Sequence, residues 1–485
     1  MKENVNEKKP LPVTLPEEVG IPSSAIIKFI DKLESKGHCI HSFIMIRNGK
    51  IAAEGYWKPF SADRKHRMYS ISKSFVSVAI GLMEEEGLLS LDDPIVSFFP
   101  GKLPANGVHP YIEKMKIRDL LRMASAHEKT TYKIMKNDDW LKTFFTVKPS
   151  HLPGTVFSYD TSAAYTLGAI VEQLSGMTIL DYTRSRFLDF IGFSEDAFFI
   201  KCPMGISQGG SGLVCTSRDI AKFALTCMHN GQFDGRQLIP EKYIKAATSR
   251  QIDNNVSNRY IECQQGYGYL FWRCRNNGFV CLGMGGQLAI CLPDKDFILV
   301  TTADTQSNSD EYSIFFDALW NEIYPYLSDK AIPSDSTQYN ELCKKLEGLE
   351  IPVVKGAKHT PVATEVTDCE YGFSDNELGL SWVRFSFKGD KGVFEYINRE
   401  GKYELNFGLG MHILQKFPEN NYNCITSAAW TDDNSLLIYS YIIDKCLATL
   451  KINVIFTDDS ITIYMSKFAE QFLENYSGCA SGEML

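Results

Sequence analysis

Positions 70–86, SISKSFVSVAIGLMEEE, carry apolar side chains on nearly every helical face (Phe75, Val76, Val78, Ala79, Ile80, Leu82 and Met83), and the run stops at Gly87. A helix without a polar stripe until its last turn has no side to offer water, so it must lie in the middle of a domain with other elements packed around it. The glycine that follows suits a left-handed helix stop. Such a centre demands a large domain. At 485 residues the chain exceeds what one ordinary core supports, and two domains of unequal size are expected.

Periodicity identifies the elements around that helix. Ser23 and Ser24 precede Ile26, Ile27, Phe29, Ile30 and Leu33, a helical pattern with a serine N-cap and a stop at Gly37. The run FIMIRNGKIAAEGYW is two β-rich stretches hinged on Asn48-Gly49, a pair suited to a tight type I′ hairpin. Helical patterns recur over 117–123, 163–174, 216–228 and 240–247, which predicts an all-helical lobe. Strand patterns return at 278–282, 288–292 and 297–302, and a helix over 314–323 closes the unit. Strands at both ends with helices between and flanking imply one antiparallel sheet assembled from remote parts of the chain, an α/β architecture of the α+β type.

After Tyr326 the composition turns polar, SDKAIPSDSTQYN, and beyond position 351 nearly every run alternates (LSWVRFSF, GVFEYIN, YELNFGLG, SLLIYSYI, ATLKINVIF, ITIYMSKF) between short turns. The expected organisation is a domain over 1–330, a linker over 331–350 and an all-β accessory domain over 351–485, built as a barrel or sandwich.

The bulk properties narrow the function. A net charge of −9 without a basic stripe argues against a nucleic-acid partner and favours a small-molecule substrate. No segment has about 18 uninterrupted apolar residues, so no membrane span is expected, and MKENVNEKKPLPVTLPEEVG lacks the apolar region of a secretory signal. Thirteen cysteines without CxxC pairs read as buried thiols in a reducing, cytoplasmic compartment, with neither a metal site nor a cofactor expected. The nine histidines include no HExxH, and His38 with His41 are expected at the surface. Oligomeric state is not legible.

The chemistry begins at Ser70-Ile71-Ser72-Lys73. Three residues apart on a helix, the Ser70 hydroxyl and the Lys73 amine share one face within hydrogen-bond reach. Serine is a weak nucleophile until a base takes its proton, and a lysine in apolar surroundings can serve as that base. A helix N-terminus adds unpaired N–H groups and a positive dipole end, both suited to a developing oxyanion. This is the only Ser-x-x-Lys in the chain. The bland alternative is a capping serine beside a snorkelling lysine.

From about Ile44 to Asp304 the sequence resembles a family: class C serine β-lactamases, D-alanyl carboxypeptidases, related esterases and 6-aminohexanoate-dimer hydrolases. YSISKSFVSVAIGLMEEEGLLSLDDPIVSFFP is similar to the family's nucleophile helix, and MKIRDLLRMAS to its LLxMxSG run, with Ala126 in place of glycine. PGTVFSYDTSAAYTLGAIVEQLSG resembles the second motif, GGSGLVCTSRDIAKFA the GGGLxSTAxDLARF stretch, and GMGGQLAICLPDKDFILV the third-motif strand and hairpin. The resemblance implies a β-lactamase/transpeptidase-like fold and a serine hydrolase working through an acyl-enzyme. Tyr159 would then relay a proton beside Ser70 and Lys73, and Thr161 would stand where an asparagine is usual. Aligned on its glycines, the third motif is Cys281-Leu282-Gly283, so Cys281 and Gly283 would border the substrate and Met284 would share the oxyanion hole with the Ser70 amide. Cys281 replaces the usual lysine or histidine, which removes a charged contact for a substrate carboxylate. That shifts the expectation from β-lactams and D-alanyl peptides toward esters or amides. Arg273 and Arg275 read as solvated strand charges.

Two rivals remain. Gly205-Ile206-Ser207-Gln208-Gly209 fits a GxSxG elbow, although Gly210 and Gly212 keep the chain in a loop where that elbow needs a helix. A binding or sensor protein on the same fold would retain no need for Ser70, Lys73 and Tyr159 together.

Overall fold

The computed structural model describes residues 10–255, 260–470 and 472–485, so the first nine residues of the N-terminal stretch read above lie outside it. The chain divides into two compact units, Met1–Ala303 with Tyr312–Glu350, and Asp304–Glu311 with Ile351–Leu485.

The first unit is built on a six-stranded sheet. Its strands are β1 (Cys39–Arg47), β2 (Lys50–Tyr56), β3 (Trp272–Arg273), β4 (Phe279–Gly283), β5 (Gln287–Leu292) and β6 (Phe297–Asp304), ordered β2-β1-β6-β5-β4-β3. The β1–β2, β5–β6, β4–β5 and β3–β4 pairings are antiparallel. Asn48 and Gly49 join the first two strands at positive φ, 51° and 72°, as a type I′ turn requires. The sheet thus joins the two ends of the unit, as the sequence implies.

Helix α1 (Ser23–Glu34) forms where its periodicity places it, but its first amide donates to Glu17 Oε1 at 2.8 Å in place of a serine cap. The run at 70–86 begins as a 3-10 turn, Tyr69–Ile71, and continues as α2 (Ser72–Glu85), in which every residue from Ser72 to Met83 is buried. Neighbours come within contact on all sides: the Phe75 ring stacks on Phe223 at 3.9 Å, and the Tyr243 ring occupies the space a β-carbon on Gly81 would need. Each large apolar side chain enclosed in this way stabilises the fold by about 1.5–3 kcal/mol. The lobe expected to be all-helical contains α3 (Thr161–Ser175) and α4 (Ser217–Met228), but also a small sheet in which Leu213–Cys215 pairs with His66–Arg67 and with Phe198–Phe199. These short strands escape periodicity because two or three residues carry none.

Two expectations need correction. His38 and His41 are buried, because β1 is covered on both faces. His41 stacks on Phe60 at 3.9 Å and bonds His66 through Nδ1 at 2.8 Å; burial first, then His66 and Arg64, holds its pKa well below the usual imidazole value. The polar stretch at 331–350 does not stand free as a linker: it carries α5 (Ser336–Glu347), capped by Asp335, which buries Leu342 and pairs Lys345 with Asp31 and Glu34 of α1. This stretch clusters with the first unit.

The second unit is a ten-stranded sheet running from Gly401–Leu409 back to Glu370–Gly372, then through Gly478–Met484 and down to Ile413–Lys416. Parallel pairing of Gly408 with Ser427 and Leu409 with Ala428 closes it into a β-barrel. Alternate residues such as Phe394, Tyr396, Ile438, Leu450 and Ile452 fill the interior.

Asp160 caps α3 and lies just after Tyr159. Fully buried, it accepts from the Ser162 amide at 2.8 Å and the Ser125 hydroxyl at 3.0 Å. Burial raises its pKa from 3.8 to about 6, the hydrogen bonds from Ser162 and Ser125 opposing the shift. Between those two values the folded protein holds a proton that the unfolded chain has released, so this residue's contribution falls as pH rises through that window and stays low above it. Asp160→Asn, which keeps an acceptor for the Ser162 amide, is expected to raise Tm at pH 7.5 relative to the unsubstituted protein by more than it does at pH 4.5. Thermal melts at both values check this; equal shifts would contradict it.

Candidate active site

The approach to Ser70 is a constrained turn. Tyr69, the residue before it, takes a positive φ of 45°, a conformation costly for any residue with a β-carbon. Surrounding groups hold it there: the Arg67 guanidinium lies 4.6 Å from the Tyr69 ring, and the Ser72 hydroxyl donates to the Tyr69 carbonyl at 2.5 Å while accepting from the Leu213 amide at 2.9 Å. Ser72, the middle polar residue of the motif, is therefore an anchor for the turn, a role the spacing does not reveal. The turn leaves Ser70 partly exposed, while Lys73 on the next helical turn is 1% exposed.

Lys73 Nζ lies 2.8 Å from Ser70 Oγ and donates to the Gly210 carbonyl at 2.7 Å. It also sits 4.9 Å from the centre of the Tyr159 ring. Burial raises the pKa of the Tyr159 phenol well above the ordinary value, interaction with the Ser70 side chain opposes that shift, and nearby Cys263 adds to it. Serine, lysine and tyrosine thus meet in one place. The Trp272 ring, 5.4 Å from that of Tyr159, backs the phenol.

Gly210 and Trp272 were not legible as site residues. The GGSG loop reaches Lys73 from far along the chain, and Gly210 fits only because it lacks a β-carbon, which would lie 2.5 Å from Thr161 Cγ2. Thr161, expected at the substrate, opens α3 with its amide donating to Thr130 Oγ1 at 3.1 Å and its methyl group against Gly210. It bears on the amine through that loop.

The third motif meets Ser70 from the sheet. A β-carbon on Gly283 would lie 2.4 Å from the Met68 carbonyl and 3.3 Å from the Ser70 amide nitrogen, so glycine is what lets β4 lie against the backbone at Ser70. Met284 follows, partly exposed, in the turn to β5. The first bond of the 3-10 turn runs from the Ile71 amide to the Met68 carbonyl, leaving the Ser70 N–H without an acceptor inside its own helix. Cys281 is a correction. It is fully buried on the same side of β4 as Gly283, and burial pushes its thiol up to about 12, interaction with Ser74 of α2 opposing. Its side chain supports the helix and offers no face to a substrate.

Remaining candidates fall away from this centre. Arg273 donates to the Thr248 carbonyl and Asn277, and Arg275 pairs with Glu262 over the Trp320 ring. Ser207 is 1% exposed in a loop, its amide turned to Glu172, and no helix follows it. Among the described residues no group of His, Cys, Asp and Glu side chains could hold a metal ion, and no helix is long and apolar enough to cross a membrane.

Comparison with known proteins bears on the family and the fold. The beta-lactamase family model matches residues 41–317. The 6-aminohexanoate-dimer hydrolase of Paenarthrobacter ureafaciens is 21% identical over 286 residues, which are 54% of this chain and 72% of that protein. EstCE1, a hydrolase with promiscuous acyltransferase activity, superposes with a TM-score of 0.52 at 16% identity, covering 61% of this chain and 99% of its own. The structure of SurE with D-Leu spans both units, 97% of this chain and 99% of its own, with a TM-score of 0.51 at 15% identity. At such identities the superpositions speak for the fold. A match through residues 41–317, more than half of the 485, carries the helix, the loop and the hairpin that converge on Ser70, and it makes this chain a member of the beta-lactamase family.

Proposed function

We propose that the chain is a serine hydrolase that cleaves an ester or amide bond of a small substrate through an acyl-enzyme. The observation that carries this reading is the 2.8 Å contact between a partly exposed Ser70 hydroxyl and an amine that is 1% exposed. The enclosed amine is held between the Ser70 hydroxyl and the Gly210 carbonyl, within reach of the proton a nucleophilic serine must lose.

In this mechanism Ser70 attacks the substrate carbonyl as Lys73 takes its proton. The oxyanion is held by the Ser70 and Met284 N–H groups. Tyr159 enters with its proton on, since burial keeps the phenol protonated through the neutral range, and it passes that proton to the leaving group while regaining one by way of Lys73. Water activated through the same pair then releases the acyl group.

The buried thiol at Cys281 favours substrates without a carboxylate beside the scissile bond, which supports ester and amide-oligomer substrates over penicillins or D-alanyl peptides. A 6-aminohexanoate-dimer hydrolase is among the relatives of this chain, and EstCE1, a hydrolase with promiscuous acyltransferase activity, shares its fold. D-amino-acyl amides belong in the same screen, because one structure that spans both units is of SurE with D-Leu. A cytoplasmic setting is part of the proposal, supported by cysteines that are all free thiols among the described residues.

A fluorophosphonate probe followed by peptide mapping is expected to label Ser70; Ser70→Ala abolishes labelling and Ser207→Ala leaves it intact. Labelling at Ser207, or no adduct with any ester, amide or β-lactam, sinks the reading in favour of the elbow serine or a binding protein. Lys73→Ala is expected to slow acylation by about 10²–10⁴-fold, the usual range for a general base, while the protein stays folded by circular dichroism. An unchanged rate removes Lys73 from the mechanism. In a screen of p-nitrophenyl esters, linear amide oligomers, D-leucine amide and nitrocefin, the uncharged esters and amides are expected to outrun nitrocefin.

A further inference from the structure

The hairpin that presents Met284 turns through Gly285 and Gly286, both at positive φ, 79° and 94°. Consecutive glycines permit this turn and also leave it loose, since glycine restricts its own backbone least. An oxyanion hole tolerates little looseness: its donors must be held within about 0.5 Å of the productive position. Something outside the turn has to fix it.

Two buried side chains do so. Gln287 Nε2 donates to the Met284 carbonyl at 2.7 Å and to the Ala303 carbonyl at 2.9 Å, and Gln287 Oε1 accepts from the Ala303 amide at 3.0 Å. Its carboxamide uses both donors and its acceptor, and reversing the amide would put N–H against N–H and oxygen against two carbonyls. The Thr301 hydroxyl donates to the Gly286 carbonyl at 2.8 Å. Both residues are 0% exposed. Packing alone does not account for them, because methionine and valine would fill the same space. What polar side chains add is a tie from rigid β6 to the first and last carbonyls of a glycine turn. The backbone of Gln287 pairs with Gly283, the residue lying against the Ser70 amide, so one residue grips the hairpin on both sides of Met284.

We propose that Gln287, backed by Thr301, is a positioning residue for the oxyanion hole: its carboxamide ties the Met284 carbonyl to β6 and thereby holds the Met284 N–H at the reacting carbonyl. The inference rests on the reading of Met284 as an oxyanion donor and adds the device that makes that donor effective. Gln287 touches no substrate and acts only through the backbone of residue 284.

The test compares acylation by a p-nitrophenyl ester and by its thiono counterpart, in which sulfur replaces the carbonyl oxygen. A hole shaped for oxygen discriminates against the larger, weakly accepting sulfur, and that ratio reports the hole directly, whereas a general loss of stability does not move it. Gln287→Met is expected to lower kcat for the oxo ester by about 10–100-fold, the scale of a misplaced group or a lost oxyanion donor, with KM changed by less than about threefold and the oxo/thiono ratio falling. Thr301→Val, an isosteric change that frees the other carbonyl, is expected to give a smaller loss of kcat and a smaller fall in the ratio. If Gln287→Met does not fold, Thr301→Val decides alone. Folded variants that keep the native oxo/thiono ratio overturn the proposal, even where Tm has dropped, since the side chains are then only cement for the sheet. Native protein that forms no adduct at Ser70 overturns the hydrolase reading and this one together. An adduct at Ser70 with unaffected variants removes this one only.

Discussion

Enclosure of the Lys73 amine is the constraint on which the rest of the first unit depends. A flexible four-carbon side chain would ordinarily carry its nitrogen to water, and taking a charge out of water costs several kcal/mol unless its surroundings compensate. Here the Ser70 hydroxyl, the Gly210 carbonyl and the Tyr159 ring face come from three segments of the chain and meet around one atom. Each imposes its own requirement. The helix must be buried on all sides, the loop must have glycine at 210 because Thr161 lies beneath it, and α3 must start where Asp160 caps it so that Tyr159 precedes the first turn.

Ser70, the proposed nucleophile, follows a strained turn that the surrounding structure holds in place. A left-handed Tyr69 would relax if free, and it is kept by the Ser72 hydroxyl bridging to Leu213 and by Arg67 over its ring. The short Leu213–Cys215 strand is where helix, lobe and nucleophile are joined. From the other side, Gly283 lets the central sheet come within contact of the Ser70 amide. A mobile serine would lose the advantage of a fixed base. The turn and the strand together make Ser70 a fixed point between helix and sheet.

Much of this was legible in the sequence where local chemistry decides it. Ser70 and Lys73 share a face by helical spacing, and the apolar run around them implies enclosure, so the pair could be named without coordinates. Asn48-Gly49 announced its hairpin, and helical periodicity over 216–228 announced α4, to which the structure adds a capping box of Thr216 and Asp219. What escaped depends on distant partners. Gly210 supplies a backbone carbonyl, which no side-chain pattern records. Gln287 looks like any polar residue in a strand until Ala303 and Met284 are placed beside it. His41 misled because polarity suggests water, whereas imidazoles that hydrogen-bond one another satisfy a buried strand. Polar composition likewise hid α5, which needs only Leu342 and two ion pairs to dock. Barrel and sandwich could not be separated because alternation is common to both; two parallel residue pairs, Gly408–Ser427 and Leu409–Ala428, make the difference.

In the proposed hydrolase, Cys281 links the fold to specificity. A thiol pushed up to about 12 by burial carries no charge near neutrality, and it faces Ser74 on the same side of β4 that approaches the nucleophile helix. A lysine or histidine at this position would put a cation beside the reacting centre and would itself need an acceptor to be buried. Neither arginine on the neighbouring segment makes up the charge, because Arg273 is committed to the Thr248 carbonyl and Asn277, and Arg275 to Glu262. A substrate carboxylate would have to shed its water near this wall without a charged group there in return, a cost that an ester or a neutral amide does not incur. One residue in the sheet therefore keeps the helix packed and, in the proposed hydrolase, leaves an anionic substrate without a compensating charge on this wall.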